Sequence, residues 1–274
     1  MKWEFTDVEF KVLCNRHWSD SMLPPFTYVS RTPSLAEYQR ELAAAGAQLD
    51  ERLGSSFDAM IDTIARPELL YVLQGWCDSD FENPEKWIRA RALRSGMRAC
   101  VITMKPGETD MHSGGFTVVE CTPEQIPAMM VALLPDAGPG RLSEIQLVTE
   151  TATDDSDPDS QSFAFDSFDD SVETRSMAFL STPAELTGTF LVGQGRSKFG
   201  PRGRMERILL LRDIAGDGRY LTDLDAPVRT AVGVTTQKFV DRIGRCVGDV
   251  LAHMENQDDR AEEWQDGDAR SWAF

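Results

Sequence analysis

Apolar positions along the chain recur first with helical and then with strand periodicity. Trp3–Phe5 reads as a short strand, and Thr6 with Glu9 forms a capping box ahead of a helix whose Phe10, Leu13 and Cys14 share one face. After the break at Pro24-Pro25, Thr32-Pro33-Ser34 opens a second helix with Leu35, Tyr38, Leu42, Leu49 and Leu53 on one stripe. Phe57, Met60, Ile61 and Ile64 form a third stripe, which Pro67 closes. The texture then changes. Leu69–Trp76 reads as a strand, followed by an acidic loop, 77–86. Trp87–Arg94 alternates, with Trp87, Arg89, Arg91 and Leu93 on one face and Ile88, Ala90 and Ala92 on the other. Ser95-Gly96 turns the chain into a strand over Ala99–Met104, and Phe116–Cys121 is another. Thr122 and Gln125 cap a short helix through Met129, Met130, Leu133 and Leu134.

Asp136–Gly140 marks the middle of the molecule. Beyond it the pattern predicts a strand over Leu142–Thr149 and a helix from Pro183 through Leu186, Phe190 and Leu191. A hairpin then joins Met205–Asp213 to Arg219–Asp223 around Asp217-Gly218, and a helix runs from Thr235 with Phe239, Ile243, Val247, Val250, Leu251 and Met254 on its buried side. Residues 154–173 hold eight acids and no base, the composition of a solvated loop. Residues 256–274 lose periodicity and read as an acidic, disordered tail. The order of elements fits an α+β fold with an antiparallel sheet and a pseudo-twofold layout, one domain over 1–255 with halves at about 1–135 and 141–255.

Charge changes the picture of what this domain can meet. The 274 residues carry a net charge of −17, which disfavours nucleic acid and anionic membrane surfaces. The longest apolar run, near Ala128–Leu134, is far short of the roughly 18 residues of a membrane span. Met1-Lys2-Trp3-Glu4 does not resemble a secretory leader. The five cysteines are scattered and fit reduced thiols in a cytoplasm.

Catalytic signatures are missing. Gly193–Lys198 lacks the Gly-Lys-Ser/Thr ending of a phosphate loop and the third glycine of a dinucleotide fingerprint. His17, His112 and His253 are far apart, without metal-ligand spacing. Cys14 and His17 sit one helical turn apart, which alone is a weak case for a nucleophile and its base. No cofactor, metal or catalytic residue is expected.

Several segments together resemble the EspG chaperones of actinobacterial type VII secretion. Trp3-Glu4-Phe5-Thr6-Asp7-Val8-Glu9-Phe10 is similar to the family's aromatic–Glu–apolar–Thr opening. Gly195-Arg196-Ser197-Lys198-Phe199-Gly200 resembles its Gly/Arg-rich stretch, Arg207–Asp213 its following strand, and Asp217-Gly218-Arg219-Tyr220-Leu221 its hairpin. The chain departs from the family in an inserted Pro201-Arg202-Gly203-Arg204, a short acidic 77–86 loop and the 256–274 tail. The resemblance implies a central antiparallel sheet flanked by two helical bundles in a pseudo-twofold arrangement. It also implies a cytoplasmic, non-enzymatic chaperone that binds the helical tip of a PE–PPE heterodimer, mainly through PPE, and keeps it soluble for export. Arg89 and Arg91 on their strand, and Arg196, Lys198, Phe199, Arg202 and Arg204 in their loop, are the expected contacts, an aromatic amid cations being a good interface anchor. The competing reading is a non-enzymatic α/β adaptor or regulator that binds a small ligand or another signalling protein. An enzyme ranks third.

Overall fold

A computed structural model describes residues 1–18, 21–142, 144–148 and 172–271, apart from the side chains of Ser56 and of 258–271. Its centre is one ten-stranded antiparallel sheet. The strands are β1 (Lys2–Phe5), β2 (Leu69–Trp76), β3 (Ile88–Ser95), β4 (Arg98–Pro106), β5 (Ser113–Cys121), β6 (Ile145–Gln146), β7 (Ala184–Gln194), β8 (Glu206–Ile214), β9 (Gly218–Asp223) and β10 (Thr230–Gly233). They lie in the order β1-β5-β4-β3-β2-β7-β8-β9-β10-β6. From the two edges inward, the first and the last five strands of the chain follow the same sequence: first, fifth, fourth, third, second. The two sets meet where β2 runs against β7, Leu69 opposite Gln194 and Trp76 opposite Thr187.

Among the described residues six α-helices cover the sheet: α1 (Asp7–His17), α2 (Leu35–Arg52), α3 (Ser55–Ala65), α4 (Ile126–Val131), α5 (Val172–Ser181) and α6 (Thr236–Ser271). Both capping boxes form. The Thr6 hydroxyl accepts from the Glu9 amide at 3.1 Å while the Glu9 carboxylate accepts from the Thr6 amide at 2.8 Å. Gln125 accepts from the Thr122 amide at 3.0 Å.

Strand alternation decides what each face buries. Leu73, Ala90, Phe190 and Leu211 point to one side, where they pack with Ile126 of α4 and with Phe239, Ile243 and Val250 of α6. Leu93, Cys100, Ile102 and Phe116 point to the other, against Phe10, Leu49, Phe57 and Met60 of α1–α3. Phe10 stacks on Phe116 with ring centroids 4.1 Å apart. A smaller core forms on this second side of the β9–β10–β6 end, where Phe179 of α5 meets Tyr220 edge-on at 5.2 Å.

Three sequence expectations need correction. The helix expected from Pro183 is strand β7. Leu186 and Phe190 are four apart, which suits either period, but Gly188 and Val192 are also buried while Thr187, Thr189 and Leu191 are half-buried, so the period is two. The strand expected over Leu142–Thr149 shortens to Ile145–Gln146; Thr149 lies outside the described residues. The helix expected to end near 255 runs on to Ser271. Ala261, Glu262, Glu263, Gln265 and Arg270 favour a helix without any apolar stripe, because propensity suffices once α6 is nucleated. Most of the acidic 154–173 stretch lies outside the described residues, while Glu173 belongs to α5.

The connection between the two sets of strands is fastened at one residue. Arg219 is 2% exposed, and its guanidinium grips the Asp213 carboxylate at 2.8 and 2.7 Å and the Pro135 carbonyl at 2.8 Å. Its backbone donates to Gly138 and accepts from Gly140 and Val234. Replacing Arg219 by Ala leaves a buried carboxylate without its partner, which costs about 3–5 kcal/mol. Urea unfolding of Arg219→Ala should show that loss, and pairing Arg219→Met with Asp213→Leu should restore much of it. A loss below 1 kcal/mol for the single variant would show that the pair does not hold the connection.

Candidate partner-binding site

On the sheet face that carries α1–α3 and α5, the helices stand over the two ends and leave a strip between them. Along β2 the residues on this face, Val72, Gln74 and Trp76, are only half-buried, and so are Thr189 and Leu191 of β7 and Leu210 of β8. The ladder sets them in rows: Val72 opposite Leu191, and Gln74 opposite Thr189, which in turn faces Leu210. The strip is therefore mixed, with apolar surface interrupted by an amide and hydroxyls. One hydroxyl, Thr187 Oγ1, is buried without a hydrogen-bond partner among the described residues.

One end of the strip finishes in aromatics. Trp76 lies 5.7 Å from Trp87, and Phe81, 49% exposed, meets Trp87 edge-on at 4.8 Å. The Trp87 indole N–H holds the loop by donating to the Phe81 carbonyl at 2.9 Å. The sequence reading passed over this cluster. Its local signal is a pair of tryptophans, Trp76 and Trp87, bracketing an acidic loop with Phe81 inside it.

At the other end lies the 195–204 loop, and here the expected residues are brought together. Arg196, Lys198, Phe199, Arg202 and Arg204 are all exposed, Phe199 at 53%. The loop itself is built rather than slack. The buried side chain of Gln257 on α6 accepts from Gln194 at 3.2 Å and from the Ser197 hydroxyl at 3.1 Å, and it donates to the Gly203 carbonyl. Ser197 Oγ accepts from the Phe199 amide at 3.1 Å. Gly195 passes so close to Pro67 that a Cβ there would sit 2.1 Å from its carbonyl oxygen, and Gly200 takes φ of +75°. These contacts hold Phe199 outward, which lowers the ordering cost of using it as an anchor.

Arg89 and Arg91 occupy the same cross-strand rows as Gln74 and Val72 but serve the fold. Arg89 is 6% exposed, stacked 4.4 Å over the Trp87 ring, with its guanidinium on the Thr27 hydroxyl at 2.9 Å and the Asp110 carbonyl. Arg91 donates to the Pro24 carbonyl at 2.6 Å. Burial lowers the pKa of both, and the Nε of each lacks a partner among the described residues. They clamp the segment around residues 24–27 over β3 and so form the wall of the strip.

Chemistry elsewhere is quiet. Burial pushes the Cys14, Cys121 and Cys246 thiols up to about 11 and raises Cys100 further, so none of these is a thiolate at neutral pH. Cys14 is fully buried, which removes it as a nucleophile for His17. Among the described residues no group of His, Cys, Asp and Glu could hold a metal ion, and no helix is long and apolar enough to cross a membrane.

The sequence matches the EspG family over residues 6–245. The chain belongs to the EspG family. Its fold is similar to that of the Mycobacterium tuberculosis type VII secretion system chaperone EspG5, solved in complex with the PE25–PPE41 dimer. The TM-score is 0.54 at 14% identity, over 93% of this chain and 97% of EspG5. No curated protein matches the sequence. Family membership bears on the loop directly: the matched range contains Gly195–Arg204 but stops before Gln257, so in this EspG chain the loop is anchored by a residue beyond it.

Gln257→Leu should test that anchor. It strips Ser197 and Gln194 of their Gln257 partner and leaves the Gly203 carbonyl only His253 at 3.3 Å, and the amides of Phe199, Gly203 and Arg204 should exchange hydrogen at least about tenfold faster, with about 1–3 kcal/mol lost in stability. Unchanged exchange would mean that other contacts hold the loop.

Proposed function

We propose that this EspG protein is a cytoplasmic, non-enzymatic chaperone of type VII secretion. It binds the helical tip of a PE–PPE heterodimer, mainly through PPE, across the open strip of the sheet, with Phe199 and its neighbouring cations at one end. The observation that carries this reading is a family member whose central sheet leaves a half-buried apolar strip ending in a rigid loop with an exposed aromatic. The similarity of fold to EspG5, solved in complex with the PE25–PPE41 dimer, supports it. A helical tip lays an apolar face into a groove and takes its register from a few polar groups, and Gln74, Thr187 and Thr189 are of the right kind.

The same reading takes the molecule as one domain over residues 1–255, built from two related halves at about 1–135 and 141–255. The mirrored strand order, each half reading first, fifth, fourth, third, second, supports a pseudo-twofold axis between β2 and β7. Helices α1–α3 and α5 then stand as the two flanking groups, the second reduced to one member among the described residues.

Co-expression with the PE–PPE pair encoded nearest the gene, followed by size exclusion and titration calorimetry, tests the assignment. Phe199→Asp and Leu191→Asp should each weaken binding by about 2 kcal/mol, roughly 30-fold, with circular dichroism unchanged. Arg89→Glu should act differently, lowering stability because the buried clamp is lost. Failure to co-elute with any PE–PPE pair would return the protein to the adaptor reading. Binding indifferent to Phe199→Asp and Leu191→Asp would keep the function and remove the site.

A further inference from the structure

An open cleft of about 560 Å³ lies beside the loop, between the end of α3, the β3–β4 turn and α6. Arg66, Arg98 and Arg196 line it, and all three are exposed and make no ion pair among the described residues. Asp62 and Glu68 share the cleft but are not within ion-pairing distance of these arginines, and Glu68 is engaged with the Gly96 amide at 2.9 Å. Three guanidiniums together with no carboxylate partner among the described residues are conspicuous in a chain of net charge −17. Most of the other arginines among the described residues have a carboxylate or a carbonyl.

The same end of the molecule carries a second feature. Helix α6 passes the cleft at Met254 and the loop at Gln257, then continues to Ser271. The sequence of this extension holds Asp258, Asp259, Glu262, Glu263, Asp266 and Asp268 against Arg260 and Arg270. At 1.5 Å per residue, Glu262 and the acids after it lie about 12 Å or more along the axis from Met254. An unbroken helix cannot bring them back to its own cleft.

We propose that the protein self-associates as a two-fold dimer in which the 262–271 helical extension of each copy lies along the Arg66, Arg98 and Arg196 cleft of the other. The contact is isologous, so each copy gives one extension and one cleft. Its attraction is between solvated charges and is therefore sensitive to salt. This inference does not depend on what else the protein binds.

Sedimentation velocity of the full chain tests it. A dimer should form at tens of micromolar protein in about 50 mM salt. In 1 M salt, where the screening length falls to about 3 Å, association should weaken at least tenfold. Arg66→Glu with Arg98→Glu and Arg196→Glu should weaken it at least tenfold in low salt, and so should Glu262→Lys with Glu263→Lys, Asp266→Lys and Asp268→Lys. Melting temperatures serve as the control for folding. Both sets in one chain should restore the dimer, since cleft and extension are then complementary again with signs exchanged. A monomer at low salt up to about 100 µM would overturn the proposal. So would a dimer indifferent to either set, or a combined variant that remains monomeric.

Discussion

The buried contact between Arg219 and Asp213 governs how the two sets of strands are joined. A guanidinium inside a protein must have its donors satisfied, and here the partners are the carboxylate on β8 and the Pro135 carbonyl, while the Arg219 backbone bonds Gly138, Gly140 and Val234. One residue, by side chain and backbone together, therefore fixes the path of the connection leaving α4, the β8–β9 hairpin and the entry to α6. The direction of α6 follows from this. Its Phe239, Ile243 and Val250 close the larger core, and its far end holds the 195–204 loop. The loop that exposes Phe199 rests, through this one helix, on a salt bridge at the opposite end of the sheet.

Much of the architecture was legible from short-range signals. Capping boxes at Thr6 and Thr122, the alternation through Trp87–Arg94 and the Asp217-Gly218 turn each name an element, because each depends on residues a few positions apart. Strand β7 was not legible in that way. Leu186 and Phe190 suit both periods, and what makes the segment a strand is its hydrogen bonding on both sides, to β8 beyond the loop and to β2, which is distant in the chain. The end of α6 was hidden for a different reason. A search for an apolar stripe stops where the stripe stops, yet a helix rich in Ala, Glu and Gln needs none.

The site divides in the same manner. Exposed loop cations and Phe199 could be picked out because glycines and charge mark a surface turn. The opposite held for Arg89 and Arg91, which look like ordinary solvated charges on an alternating strand. Only the fold places Thr27, Pro24 and Asp110 over them. The strip itself had no local signature, since Val72, Leu191 and Leu210 become neighbours only when three strands pair. That the resemblance pointed to a large antiparallel sheet with helices, while Arg89 and Arg91 turn out to be held by contacts within the fold, reflects this difference between local and cross-strand information.

The strand order has a consequence for solubility. A sheet ten strands wide has only two free edges, and here both are poor templates for a further strand. At one edge β6 is two residues long. At the other, β1 spans four residues and carries Lys2 and Glu4, paired with each other at 2.8 Å and well exposed. Growth of the sheet by docking of another chain's backbone is thereby blocked at both ends. A protein that keeps an apolar strip open on its face can remain dispersed because its edges do not invite polymerisation.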